Sequence, residues 1–255
     1  MARLSLLILG LTDKMPRRRS QPASILVLIL AAAAFLLLRY FHKPPPSYSC
    51  GVHCGTERWR IKTIFDNDAK QINFAPRHTT VSELVEMRAP EVLSDDRNAA
   101  EKQVYSVEAV LLGWKQETGQ HGDRDFHLVL ADPNDVTRTM IAEVPSAECQ
   151  GACSSLHAQH FAEVRQALTA QLAEPEAHFR RFTPAWVVRV EGVGFFDIFH
   201  QQIGVAENCM ELHPLLKVEF VRQLSPAVQL PRRIEPPANH RCGHLDREGR
   251  YADEE

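Results

Sequence analysis

Apolar residues recur at every second position in five separate stretches of the chain, and at helical spacing in one stretch between the third and the fourth. Val104–Trp114 places Tyr105, Val107, Ala109 and Leu111 on one face, with Gly113 predicting a bend or bulge. Phe126–Ala131 turns Phe126, Leu128 and Leu130 inward and His127 outward, and Arg138–Val144 forms a third strand after the turn-rich ADPNDV. Ser154 or Ser155 caps a predicted helix in which Phe161, Val164, Leu168 and Leu172 share one face, ending before Pro175. Trp186, Val188 and Val190 define a fourth strand, continued by Gly192 and Gly194, and Leu216, Val218 and Phe220 define a fifth.

Three strands, a helix and two strands is the order expected of an OB-fold, a five-stranded Greek-key barrel with a helix between strands three and four. A lipocalin-like barrel needs more strands, and a parallel α/β fold needs more crossover helices. The expected fold class is therefore mainly β with one or two helices: an OB-fold-like barrel over residues 103–222, preceded by a small N-terminal lobe over 54–102. In that lobe RWRIKTIF, Arg58–Phe65, alternates like a half-exposed strand. Thr79 or Thr80 then caps a helix carrying Val81, Leu84 and Val85, with Pro90 as its stop.

Residues 24–41, SILVLILAAAAFLLLRYF, carry a single charge, Arg39, and approach the length that spans a bilayer. Arg17, Arg18 and Arg19 stand ahead of it, so the positive-inside rule predicts a cytoplasmic N-terminus over 1–23 and an exported remainder. Ala31–Ala34 offers small residues for signal cleavage, but cutting there leaves FLLLRYF as a hydrophobic terminus, so an uncleaved anchor is expected. Met15 before PRRRSQPAS is an alternative start. HKPPPSYS makes 42–53 a stiff proline-rich spacer, and proline with charge makes 223–255 a flexible tail.

All six cysteines follow the apolar run, which fits disulfides in an oxidising compartment such as the periplasm or cell exterior. The two CxxxC pairs suggest local bridges, Cys50 with Cys54 and Cys149 with Cys153, and a four-cysteine zinc site is the alternative. From Cys54 to Phe220 there are 16 Lys and Arg against 25 Asp and Glu, a net of −9. That balance argues against general nucleic-acid binding, which needs a positive face.

Two polar constellations carry the candidate chemistry. Asp123, Asp125 and His127 in DRDFHLVLAD fall on one side of a strand, where they can bind a divalent cation or pass protons; a solvated strand face has the same pattern and is the expectation. Asp197, His200, Asn208, Glu211 and His213 flank the connection between strands four and five, which borders the usual OB-fold ligand face. His127, His200 and His213 supply three nitrogens for zinc if that loop folds back, but no HExxH or other short zinc motif is present, and neither metal nor cofactor is expected. Asp197, Asn208 and Glu211 are expected instead to satisfy backbone groups of a rigid rim. GACSS is not a GxSxG elbow, and no GxGxxG or P-loop occurs. DRDFHLV resembles the DGDT segment of staphylococcal-nuclease-like OB domains, but the second acidic segment and arginine of that family have no counterpart.

CGTERWRIKT, TTVSEL, VYSVEAVL, DRDFHLVLAD, MIAEVP and GVGFFDIFHQQIGVAENCMELHP together resemble a family of exported bacterial proteins of unassigned function, over roughly Cys54 to Phe220. Members typically read HGQTGVAPN where this chain reads HQQIGVAEN, so Gln201, Ile203 and Glu207 depart from the pattern. The expected function is that of a single-pass, membrane-anchored extracytoplasmic module binding a protein, glycan or small ligand. The alternative is a metal-dependent hydrolase or nuclease-like enzyme.

Overall fold

The longest alternating stretches become the longest strands. In the computed structural model, residues 50, 53–55, 57–118, 123–225, 228, 230–231 and 234–245 are described. The expected cytoplasmic N-terminus, apolar anchor and most of the spacer, residues 1–49, lie outside them. Among the described residues no helix is long and apolar enough to cross a membrane.

The elements in chain order are α1 (Trp59–Lys62), β1 (Asn73–Thr79), α2 (Val81–Glu86), β2 (Val92–Leu93), β3 (Gln103–Gln116), β4 (Phe126–Ala131), β5 (Thr139–Val144), α3 (Ala158–Leu172), β6 (Arg180–Phe196), β7 (Met210–Gln223) and β8 (His244–Leu245), with 3-10 turns at Ala69–Gln71 and Ala100–Lys102. β3 pairs with β4 and β6, β4 with β5, β5 with β7, and β7 with β6, so five strands close into a ring. Only β5–β7 is parallel within it. The three strands, helix and two strands stand in the order expected from the sequence. β3 pairs along both of its edges, and its register shifts at Leu111/Gly113, the anticipated bulge. β1 takes the same edge of β3 over Gln103–Val107 that β4 takes from Val110 onward.

The core fills the ring. Val107, Ala109, Leu111, Leu128, Leu130, Met140, Ala142, Val188, Val190 and Leu212 are fully buried in one cluster. Each large member contributes roughly 1.5–3 kcal/mol by leaving water. Phe161, Val164, Leu168 and Leu172 of α3 join that cluster as their spacing predicts, and α3 packs on β7 and β5.

Three local expectations change. Arg58–Phe65 is not a strand: a turn of helix, α1, follows Arg58 at φ 57° and buries Trp59, Ile61 and Lys62 together. The guanidinium of Arg58 explains the turn, because it donates to both Glu101 oxygens at 2.7 and 2.9 Å and to the Phe196 and Ser94 carbonyls, a geometry an extended strand would not aim. α2 keeps its cap, with Thr80 and Glu83 forming a reciprocal capping box. α3, in contrast, begins only after His157, and neither Ser154 nor Ser155 caps it; the Ser155 hydroxyl accepts from the His157 N–H in a preceding turn.

The cysteines also pair differently. Cys50 bonds Cys153 and Cys54 bonds Cys149, with Cys209–Cys242 as a third bridge, so the expected local loops are replaced by a two-rung ladder. The ladder spans 103 and 95 residues and clamps the segment before α1 to the turn before α3. Part of the stretch expected as a flexible tail is tied down too, through Cys242 and through the pairing of β8 with β2.

The ladder predicts that non-reducing tryptic digestion yields the peptides ending at Arg58 and Arg165 as one doubly bridged species, detected by mass spectrometry. Two separate peptides, each with an internal bridge, is the outcome the local pairing requires. Replacing Cys54 and Cys149 together by serine should lower stability by about 2–5 kcal/mol in guanidinium denaturation.

Candidate functional site

Hairpin register gathers the polar residues before any loop is considered. His127 of β4 lies opposite Glu143 of β5, and Ile141 lies opposite Glu211 of β7. By strand alternation His127, Glu143, Glu211 and His213 then share one face, while Phe126, Leu128, Met140, Ala142 and Leu212 face the ring interior. Asp123 and Asp125 arrive from the β3–β4 connection, Asp197 from the end of β6, and Lys62 from α1.

This face is not solvated, which corrects the sequence expectation. Every residue of β4 is buried, and Asp125, His127 and His213 have no exposed surface. The connection between β6 and β7, residues 197–209, lies over it. His127 Nε2 reaches the Ile203 carbonyl at 3.0 Å, and Val205 and Cys209 pack on Ile141. Gly204, at φ 86°, approaches Val129 so closely that any Cβ would collide with it. Asn208 ties the roof to α2, its amide donating to Leu84 O at 3.0 Å and Met87 O at 2.9 Å while its oxygen accepts from Met210 N.

Beneath the roof, acids and imidazoles alternate. Glu143 Oε1 accepts from His127 Nδ1 at 2.8 Å, and Glu143 Oε2 stands 3.2 Å from His213 Nδ1. At the other nitrogen of that ring, Asp125 Oδ2 stands 3.0 Å from His213 Nε2. Glu211 Oε2 is 3.9 Å from His213 Nδ1. Both nitrogens of His127 face oxygens, so it is an imidazolium donating twice. His213 differs, since neither of its nitrogens has hydrogen-bond geometry to any partner, and the same holds for both Asp125 oxygens and Glu211 Oε2. Lys62 Nζ sits 3.5 Å from Asp123 and 3.7 Å from Asp197.

Burial and neighbours shift the acidity of Asp123, Asp125, Glu143, Glu211, His127, His213 and Lys62. Burial, with Asp123 adding repulsion, raises the Asp125 carboxyl to about 7, and burial raises Glu211 to about 8, with Asp197 and Glu143 adding to it against His213. Burial also raises Asp123, partly offset by Lys62. For Glu143 burial is overridden by His127 and His213, which hold it well below the usual range. Burial lowers the two imidazoles, but the carboxylates beside them reverse it: His127 is raised by its hydrogen bond to Glu143, and His213 is held well above its ordinary value by the nearness of Asp125, Glu143 and Glu211. Lys62 is likewise raised well above its ordinary value, burial being outweighed by Asp197 and Asp123.

Of the residues singled out from sequence, Asp123, Asp125, His127, Asp197, Glu211 and His213 converge. His200 does not: it is exposed, 3.9 Å from Glu57, so the three-histidine set is not assembled. Asp197 and Asn208 satisfy backbone groups as expected, whereas Glu211 makes no such bond and faces His213. Gln201, where the resembled family carries glycine, takes φ 59°, the left-handed region that glycine favours. Glu143 and Lys62 complete the cluster without being part of either polar constellation in the sequence. Alternation along TMIAEV signals Glu143, since Met140, Ala142 and Val144 inward leave it beside His127; nothing local signals Lys62. Two surface concavities, one lined by Thr183, Pro184 and Leu230 and one by Met87, Pro90 and Phe196, include none of these polar groups.

No family model and no curated protein matches the chain. Among solved structures it is similar to a protein described as an aspartyl-tRNA synthetase from Leishmania major Friedlin, at 13% identity and a TM-score of 0.34, over 78% of this chain and 27% of that one. A likeness this slight carries no argument about fold or activity.

Two outcomes follow from the buried charges. Lys62→Met leaves Asp123 and Asp197 without their cation and should cost about 3–5 kcal/mol in chemical denaturation. Asp125 and Glu211 keep protons that the unfolded chain releases near 3.8 and 4.5, so their contribution falls as pH rises through about 7 and about 8. His127 and His213 act in the same direction, fully stabilising below 6.5 and losing that contribution as pH rises through their raised values. Glu143 contributes above its unfolded value of 4.5 and loses that contribution only in acid. In buffer containing EDTA, which keeps stray cations off the carboxylates, the melting temperature should therefore peak near pH 5 and fall toward pH 8, and Glu211→Gln should flatten that fall.

Proposed function

We propose that the chain is a membrane-anchored extracytoplasmic binding module built on an OB-fold-like barrel, taking a protein, glycan or small ligand on the rim over β4 and β5. The observation that carries this reading is the position of the polar nest. It lies on the second and third strands of the ring, under the connection between the fourth and fifth, the face and loop with which OB-folds hold oligonucleotides and oligosaccharides. Its groups are withdrawn from solvent, so they brace the roof and leave ligand contact to the exposed part of 198–207, where His200 is exposed and Phe199 stacks on His240 at 3.9 Å.

Three disulfides support a site outside the reducing cytoplasm. The apolar run over 24–41 and the arginines before it support attachment to the bacterial cell membrane by a single pass. The motif resemblance to exported bacterial proteins supports the same placement. A metal-dependent hydrolase is the second reading, favoured by the donor atoms of Asp125, Glu143 and His213 lying within 4.8 Å of one another. It requires the roof to lift, because a catalytic group must touch its substrate.

Capture from envelope extract and on a glycan array should be lost in Phe199→Ala/His200→Ala and in His200→Ala alone, the latter with melting temperature unchanged. Hydrolysis of an ester, phosphodiester or glycoside that needs added metal and disappears in Asp125→Asn would replace this reading with the enzymatic one.

A further inference from the structure

We infer that the nest is a binding site for one divalent first-row transition-metal ion, Zn²⁺ or Mn²⁺, held by Asp125, Glu143 and one imidazole nitrogen of His213, with the Glu211 carboxylate beside them.

The donor atoms of Asp125, Glu143 and His213 all lie within 4.8 Å of one another, and all three residues are buried. Buried polar groups in folded proteins are ordinarily hydrogen-bonded. In this cluster five atoms are not: both Asp125 oxygens, Glu211 Oε2 and both His213 nitrogens. Glu211 is 1% exposed and its Oε2 turns toward His213 Nδ1 at 3.9 Å, beyond hydrogen-bond reach. Asp125, Glu143 and His213 each bring one donor atom into a space small enough for a single ion to share.

The surrounding groups fit that role. His127 donates to Glu143 Oε1, which orients the carboxylate and leaves Oε2 facing His213, as an outer partner does for a ligating side chain. The neighbouring set of Glu117, His127 and Glu143 is a poorer candidate, because His127 is spent on Glu143 and Ile203 and Glu117 is paired with Lys115 at 2.6 Å. Lys62 is placed between Asp123 and Asp197. The carboxylates of Asp125, Glu143 and Glu211 with the His127 imidazolium leave two negative charges, and Asp123 and Asp197 with Lys62 leave a third, so a divalent cation bound by a neutral His213 imidazole cancels two of the three. Mixed carboxylate and imidazole donors suit Zn²⁺ and Mn²⁺; Ca²⁺ takes six to eight oxygens, and Mg²⁺ keeps several waters.

This deepens the binding-module reading, since the ion would brace the roof that carries the rim. The two can fail separately, because metal titration reads the ion and rim capture reads the ligand. The full chain, purified in detergent without a chelating tag and stripped with EDTA, is titrated with ZnCl₂ or MnCl₂ by calorimetry and thermal melting. One ion per chain is expected, with a melting temperature raised by about 5 °C at saturation. Glu211→Gln, which keeps the fold, should weaken binding about 10- to 100-fold, and Asp125→Asn/Glu143→Gln should abolish it. The inference is overturned if no stoichiometric Zn²⁺ or Mn²⁺ binds. It is overturned equally if binding persists at wild-type affinity in a folded Glu211→Gln protein, which assigns the ion to surface histidines, or if only Ca²⁺ or Mg²⁺ is taken up.

Discussion

A carboxylate removed from water has to be surrounded by donors or cations, and Glu143 meets that demand by accepting from the His127 imidazolium at 2.8 Å, with the His213 ring 3.2 Å from its other oxygen. Much else hangs on this arrangement. It joins β4, β5 and β7 on the face away from the core, and through His127 it reaches the Ile203 carbonyl of the loop above. A ring of five strands already has a complete apolar interior, so this second, polar layer exists only because a loop closes over it.

The roof is held at several points of different chemistry. Gly204 lets its backbone settle on Val129, Asn208 fastens its end to α2, and Cys209 is bonded to Cys242. From the other side, Arg58 and Glu101 pin α1 to β6, and Arg97 binds Asp66 at 2.7 Å and the Ile61 carbonyl, so Lys62 is delivered between Asp123 and Asp197. The cysteine ladder secures the same N-terminal segment covalently. Each of these charges is buried and paired, an arrangement that costs several kcal/mol when one partner is removed.

A site closed in this way separates two tasks that catalytic sites usually combine. Groups with strongly shifted acidity sit inside, out of reach of a substrate, while the surface above them offers His200, Phe199 and His240. In the proposed reading the interior sets the shape and rigidity of the rim, and the rim meets the ligand.

The chain's period-two apolar pattern by itself determined the five strands, their order around one helix and the Gly113 bulge, because burying one strand face is a local demand written residue by residue; helical spacing after Thr79 and Thr80 determined the short helix, and the structure chose Thr80 as its cap. It also marked Asp123, Asp125, His127, Asp197, Glu211 and His213, since acids and imidazoles interrupting such a pattern stand out. Only the tertiary structure decided that His127 is buried, that Glu143 and Lys62 belong with it, that His200 does not, and that Cys50 and Cys54 reach across to Cys153 and Cys149. Those outcomes depend on which remote segment covers a strand's second face. Alternation says that a face is polar; whether water or a folded loop lies against it is settled by contacts between residues remote in the chain, as with His127 and Ile203, 76 positions apart.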